Sequence, residues 1–312
     1  MKKILNSPHI PVLLKEVIDG FKNLKNGTFI DCTIGYGGHS KEILKLNPKI
    51  DLIGIDRDSE AIEFNQKHLR SEFKERVTLI KGNFSEVLPK ILREKDDIVG
   101  ILADFGVSSL QLDKKNRGFA FDSEILDMRM DKSSTKSAKE VLNFYSQSEL
   151  ERVFRDYGEL KEAKRLSFEI VKYRTKKEIT SAKEFSSIIQ KVVKSKGKNP
   201  STLPFQAVRI EVNDELGEIE KFLNTLEEFK PKGAVVGVIT FHSLEDRLIK
   251  SRFKKWAKKC ICPEGVMRCE CGGDNALGEI LNKRPFTAST KELKQNPRSR
   301  SAKLRFFKFR EV

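Results

Sequence analysis

Four short runs rich in β-branched residues recur through the first third of the chain: "TFIDCTI" (28–34), "DLIGID" (51–56), "VTLIKG" (77–82) and "IVGILADFG" (98–106). Between them, "GHSKEILKLN" and "SEAIEFNQKHL" space their apolar residues as helices do. Each opens on polar residues, and Asp58 or Ser59 is placed to cap the second. Strands alternating with helices in this way require crossovers over the faces of one sheet, which predicts an open, mostly parallel, Rossmann-like α/β fold. After about residue 113 the character changes. From 135 to 230 charged segments with a period near 3.6 dominate, and Leu150, Val153, Phe154 and Tyr157 share one face of the run 148–174. Strand-like sequence returns in "GAVVGVITFHSLEDR" (233–247) and "KLRFFKFR" (303–310). The expected organisation is a discontinuous sheet domain, 1–112 plus 218–312, with a helical insertion at 113–217 that recognises substrate.

In an open parallel sheet, ligands bind beyond the carboxyl ends of the strands where the strand order reverses. The informative residues of this chain cluster there. The first strand leads into "DCTIGYGGHS", whose Gly35, Gly37 and Gly38 allow a tight turn and close approach of backbone to a ligand. The second ends in "GIDRD", placing Asp56 where a carboxylate accepts hydrogen bonds from both hydroxyls of an adenosine ribose. A dinucleotide fingerprint needs a third glycine where this chain has Ser40. Asp31, just ahead of the glycines, repels a pyrophosphate but suits the α-ammonium of a methionine moiety. These features favour S-adenosylmethionine (SAM) over a nicotinamide cofactor and over a turn without function.

Asp104 closes the fourth strand within "ILADFGVSSLQLD". The Asp-Phe-Gly tripeptide mimics a kinase signature, but no Gly-rich hairpin, Val-Ala-Ile-Lys strand or His-Arg-Asp loop precedes it. At this position a carboxylate can accept hydrogens from a target amine, favour a pyramidal nitrogen and stabilise positive charge developing there. The plainer alternative is that it orders the following loop or touches only the cofactor. Phe84, in "KGNFSEV", is placed to cover an adenine face or to fill core; His39 is placed to touch ligand or to cap its helix. "TFHSLEDR" brings His242, Ser243 and Glu245 to another strand end, without the Gly-x-Ser-x-Gly of a serine hydrolase.

The chain carries 60 Lys and Arg against 45 Asp and Glu, a net charge of +15 that draws it to polyanions. Residues 281–310 hold ten cations against Glu292 alone, +9 locally, and their interleaved aromatics suit nucleic acid or, for Phe306, Phe307 and Phe309, a last buried strand. No secretory core forms in "MKKILNSPHIPVLLKEV", and no run approaches the roughly 18 apolar residues of a membrane span, so a cytoplasmic protein with no membrane partner is expected. Cys260, Cys262, Cys269 and Cys271 make two Cys-x-Cys pairs six residues apart. They suit either a structural zinc ion or a redox-sensitive loop of free thiols.

In order along the chain stand "HIPVLLKEV", "DCTIGYGGHS", "GIDRD", "GNF", "DFGVSSLQLD", "RGFAF", "LDMRMD", "YGE", "FQAVRIEVNDEL", "FHSLEDR" and "NPRSRSAKLR". This series resembles the bacterial 16S rRNA cytosine-N(4) methyltransferase family, known as RsmH or MraW. The resemblance implies a class I SAM-dependent methyltransferase that modifies the exocyclic amine of a cytosine in the decoding region of 16S rRNA, within the small ribosomal subunit. It also implies cofactor contacts from Gly37, Gly38, His39, Asp56, Phe84, Asp104 and Gln111, with Asp104 as the catalytic candidate. The zinc reading is not inherited from it. Three departures stand out: Phe105 replaces the usual Leu; no Gly-Pro precedes Leu126-Asp127; and Asn199, Ser201 and Leu203 occupy positions where the family carries His, Ala and Arg.

Overall fold

The computed structural model describes residues 10–106, 117–194, 197, 199–263, 265 and 268–311. The chain divides into two compact units: residues up to Gly106 joined by those from Glu218 onward, and the residues between.

The first unit is a seven-stranded sheet of order β3-β2-β1-β4-β5-β7-β6. Its strands are β1 (Gly27–Asp31), β2 (Ile50–Asp56), β3 (Val77–Lys81), β4 (Ile98–Asp104), β5 (Val235–Thr240), β6 (Gly278–Ile280) and β7 (Lys303–Phe309). β3, β2, β1, β4 and β5 are parallel, whereas β7 runs antiparallel to both β5 and β6. The open, mostly parallel α/β sheet expected from the sequence is therefore present, and its central strands are buried because helices cover both faces. The expected first and fourth runs overshoot: pairing stops at Asp31 and Asp104, beyond which the backbone turns to build loops. The short edge strand β6 is an element the sequence did not disclose.

Helices α1 (Leu14–Phe21), α2 (Gly38–Leu46), α3 (Ser59–Phe73) and α4 (Phe84–Glu94) alternate with the first four strands. Asp58 caps α3, its carboxylate accepting the Glu60 N–H at 3.1 Å. Phe21 of α1 meets Phe29 of β1 and Phe306 of β7 edge-on at 5.0 and 5.3 Å, which anchors the central core. Phe306, Phe307 and Phe309 are all buried, so these three aromatics of the basic carboxyl-terminal stretch belong to the sheet.

The second unit is helical: α5 (Ala138–Phe144), α6 (Gln147–Asp156), α7 (Ala163–Arg174), α8 (Ala182–Val192) and α9 (Thr202–Asn213). The next helix, α10 (Glu215–Phe229), leads from it back to the sheet. Three Ser-x-x-Glu sequences form reciprocal capping boxes, at Ser137, Ser146 and Ser181. The run 148–174 forms two helices: the chain breaks after Asp156 and Glu159 adopts φ 48°. Leu150, Val153 and Phe154 are buried as their spacing requires. The motifs of this unit scaffold one another. Asn213 binds the Met128 carbonyl and the Met130 N–H, both at 2.8 Å; Arg117 donates to the Met130 carbonyl at 3.0 Å; and Arg209 grips Glu215 through two bonds of 2.8 and 2.9 Å. Where the family's His and Ala would stand, the Asn199 side chain accepts the Ser201 N–H at 2.9 Å, and buried Ser201 bonds Ser186 at 2.8 Å. Leu203 is 44% exposed, so the arginine's place faces solvent without a charge. No helix among the described residues is long and apolar enough to cross a membrane.

Candidate cofactor and catalytic site

The strand order reverses between β1 and β4: β2 and β3 extend to one side of this pair and β5 to the other. The crossovers there leave for opposite faces, so a crevice opens beyond the carboxyl ends of β1 and β4. Three strands end on carboxylates around it: Asp31 on β1, Asp56 on β2 and Asp104 on β4.

Asp31 is buried and accepts hydrogen bonds from the Ser40 hydroxyl at 2.6 Å and the Thr33 N–H at 3.1 Å. Burial pushes its carboxyl up to about 6 against those two bonds, and the charge of Asp56 adds to the rise. Asp56 accepts the Gly35 N–H through one oxygen and the Asp58 N–H through the other, both at 2.9 Å; burial nonetheless holds its carboxyl above the ordinary range. Asp104 lies furthest from ordinary behaviour. Burial first, then the charges of Asp31 and Glu245, lift its carboxyl well above the usual range. Its backbone N–H is fixed by the Thr33 hydroxyl at 2.7 Å, while its buried Oδ1 has no hydrogen-bond partner among the described residues. Three strand-end carboxyls with raised pKa values thus gather here, and none of them makes an ion pair among the described residues.

The glycine turn sits directly above β1. Gly37 adopts φ 70°, and a Cβ there would lie 2.2 Å from the Asn65 side-chain oxygen, so only glycine fits. Asn65, fully buried, donates to the carbonyls of Gly35 at 2.7 Å and Ala61 at 2.8 Å, which ties the turn to α3. Gly38 begins α2, and the next residue, His39, is buried and donates its Nε2–H to the Val12 carbonyl at 2.8 Å. That bond holds the segment before α1 against the turn.

Phe84 opens α4 and packs with Phe105 and Phe222, ring centroids 5.5 and 5.9 Å away; Phe105 and Phe222 meet at 5.6 Å. The Phe105 departure thus adds a third ring to a cluster beside Asp104. Asn83, immediately before Phe84 at the end of β3, presents a buried side-chain oxygen without a partner among the described residues. Sequence reasoning missed Asn83, Thr33 and Asn65. Their signals are single polar residues, and only the fold shows that Thr33 and Asn65 hold Asp104 and Gly35 and that Asn83 and Asn65 each keep a buried oxygen without a partner among the described residues. Gln111 lies outside the described residues. His242 and Glu245 form the capping box of α11 (Ser243–Trp256): the Glu245 carboxylate accepts the N–H groups of Phe241 at 2.7 Å and His242 at 3.2 Å.

The basic carboxyl-terminal stretch is partly consumed by structure. Arg305 forks onto Asp246 of α11 at 2.7 and 3.3 Å, Lys303 joins at 3.1 Å, and Arg310 pairs with Asp274. Exposed cations with an aromatic lie instead on the outer face of α7, where Lys164, Phe168 and Lys172 follow at intervals of four and Arg165 adjoins them; Phe168 is 50% exposed.

The profile of the MraW methylase family matches residues 6–310. A protein of a Nitratiruptor species named ribosomal RNA small subunit methyltransferase H is 53% identical over 308 residues, 98% of this chain and 100% of its own. A protein of the same name from a Sulfurovum species is 54% identical over 307 residues, 98% of this chain and 99% of its own. A third, from Wolinella succinogenes, is 53% identical over 307 residues and likewise spans 98% of this chain and 100% of its own. With a family profile and relatives of this identity running along nearly its whole length, the chain belongs to the MraW methylase family.

Proposed function

We propose that the chain is a SAM-dependent methyltransferase that methylates the exocyclic N(4) amine of a cytosine in the decoding region of 16S rRNA, with Asp104 as the catalytic residue. The carrying observation is the buried Oδ1 of Asp104, without a partner among the described residues, at the point where the strand order reverses, beside a glycine turn and two further strand-end carboxyls. Close relatives carry the name of a small-subunit rRNA methyltransferase, which supports the substrate class.

The residues fit SAM. Three strand-end carboxyls with raised pKa values are complementary to a cation, and the oxygens of Asn83 and Asp104 that lack partners among the described residues call for donors. Asp31 suits the α-ammonium group, Asp56 the ribose hydroxyls, the Asn83 oxygen the adenine amine and Phe84 an adenine face. Gly37 and Gly38 permit close approach, while His39 holds the turn from behind and Gln111 completes the set that the family resemblance implies. When bound, SAM supplies an electrophilic methyl group on a sulfonium centre.

The chemical difficulty lies in the acceptor, because a cytosine amine delocalises its lone pair into the ring. With a cation bound beside it favouring the ionised form, the Asp104 carboxylate accepts one amine N–H, draws the nitrogen toward a pyramidal geometry and stabilises the positive charge that grows on it. The surplus proton then leaves to Oδ1 of Asp104 or to water. Burial in the crevice strengthens this interaction by keeping water from screening it. The insertion supplies RNA contacts through the basic face of α7, the target base being unstacked for presentation. The protein works in the cytoplasm, where its substrate is.

Small-subunit particles lacking the modification, incubated with the protein and methyl-labelled SAM, are the test. Nucleoside mass spectrometry should show labelled N(4)-methylcytidine. Binding of SAM without label transfer would overturn the substrate, and failure to bind SAM would overturn the site.

A further inference from the structure

The loop between α11 and β6 carries four cysteines that the crevice does not use. The sulfur of Cys269 lies 3.7 Å from that of Cys260 and 3.5 Å from that of Cys271, and Cys271 and Cys260 are 3.7 Å apart. All four sulfurs, Cys262 included, fall within 4.8 Å of one another. A tetrahedral zinc ion with Zn–S bonds of about 2.3 Å sets its sulfurs about 3.8 Å apart. Packing does not explain the gathering, because Cys260 and Cys269 are exposed and Cys262 and Cys271 only half-buried.

The backbone around the sulfurs is arranged as a ligand cradle. Each Cys-x-Cys arm offers the N–H of its middle residue to the second cysteine of the other arm: Ile261 to Cys271 and Glu270 to Cys262, both at 3.3 Å. This reciprocal pair gives the loop a local twofold character and donates hydrogen bonds to sulfurs that carry charge when they hold a metal. Gly272 and Gly273 follow at once with φ 77° and 71°, reversing the chain so that the Asn275 side chain binds the Cys271 carbonyl at 2.8 Å. The loop is then closed by the Asn275 N–H on the Lys259 carbonyl at 3.0 Å and the Leu277 N–H on the Trp256 carbonyl at 2.7 Å.

We propose that Cys260, Cys262, Cys269 and Cys271 bind one zinc ion as a tetrathiolate that clips this loop to the end of α11. Four thiols give up four protons to one Zn²⁺, leaving a site of charge −2. Lys258, Lys259 and Arg268, exposed beside Cys260 and Cys269, oppose that charge. The all-sulfur donor set excludes magnesium and calcium, and the closed shell of four protein ligands leaves no position for substrate, so the role is structural. The assignment rests on no part of the methyltransferase reading.

The test uses the full-length, untagged chain, purified without added metal. Elemental analysis should find one zinc per chain, released in proportion as a mercurial reagent titrates the thiols. Cobalt(II) loaded in its place should show the intense thiolate-to-cobalt charge-transfer and red d–d bands of a tetrahedral tetrathiolate. The Cys269→Ser/Cys271→Ser variant should lose the metal, and Cys32→Ser should keep it. Zinc-free protein whose four thiols react freely and which gives no such cobalt spectrum overturns the proposal, as does a chain that carries iron instead. Should the double variant fail to fold, the stoichiometry and the cobalt spectrum of the unaltered chain still decide.

Discussion

Asp31 is buried and Asp104 half-buried with its Oδ1 enclosed, and both carboxyls have raised pKa values, yet they are suited to different tasks. Asp31 spends its oxygens on Ser40 and Thr33, whereas Oδ1 of Asp104 has no hydrogen-bond partner among the described residues. Replacing Asp104 with Ala should therefore lower single-turnover methyl transfer about a thousandfold. Calorimetric SAM affinity should fall far less; an equal loss of both would make Asp104 a cofactor ligand only. Asp31 makes a prediction about stability. Its carboxyl is raised from 3.8 to about 6 on folding, so the folded state binds the proton first and this group's contribution improves as pH falls from about 6 to 3.8. Above pH 6 the ionised carboxylate costs at most about 3 kcal/mol, two units at about 1.4 each. Asp31→Asn should accordingly stabilise the ligand-free protein at pH 7.5 and lose that advantage near pH 4, while weakening SAM binding at neutral pH. Denaturant titrations of both proteins across that range decide it, and a variant equally destabilised at every pH would contradict the argument.

At the scale of elements, β7 and α7 divide the cations between architecture and function. Arg305 on β7 is locked to Asp246 on α11, whose carboxyl is held below the usual range because the Arg305 and Lys303 hydrogen bonds outweigh its burial. Asp246→Asn should cost about 3 kcal/mol in urea unfolding, since it strands a buried guanidinium. Asp246→Asn/Arg305→Met should recover part of that loss, and no recovery would mean that the pair does not act as a unit. On α7, Arg174 is likewise structural, donating to the carbonyls of Leu142 and Tyr145, whereas Lys164, Arg165 and Lys172 make no ion pair among the described residues. Lys164→Ala/Arg165→Ala/Lys172→Ala should leave stability within about 0.5 kcal/mol of the parent. The same variant should lower the slope of log affinity for RNA against log salt by about 2. Fluorescence anisotropy with a small-subunit RNA fragment reads both affinity and slope, and an unchanged slope would move the RNA contact elsewhere.

For the whole molecule, a net charge of +15 and a buried acidic crevice respond to salt in opposite degree. RNA affinity should fall steeply, about a thousandfold between roughly 50 and 200 mM salt if some six phosphates are neutralised. SAM affinity should change little, because buried charges are poorly screened. Parallel titrations of both ligands in the two buffers check this, and comparable salt sensitivity would mean that the crevice is open to solvent.

The sequence by itself determined the alternation of strands and helices, the return to the sheet at β5 and β7, the glycine turn, and Asp56 and Asp104 at strand ends. Each of these follows from local periodicity or from a residue type that backbone geometry demands. The sequence left the α3 cap open between Asp58 and Ser59, and the structure chose Asp58. Tertiary structure alone decided that the 148–174 run breaks at Glu159, that β6 exists and that Arg305 serves Asp246. It alone shows the Asn83 and Asp104 oxygens that lack partners among the described residues, and the four gathered sulfurs. Those facts depend on which distant segments share a surface and on which polar atoms are left without a partner once they do. Periodicity carries no record of either, because burial and hydrogen-bond satisfaction are properties of the packed chain.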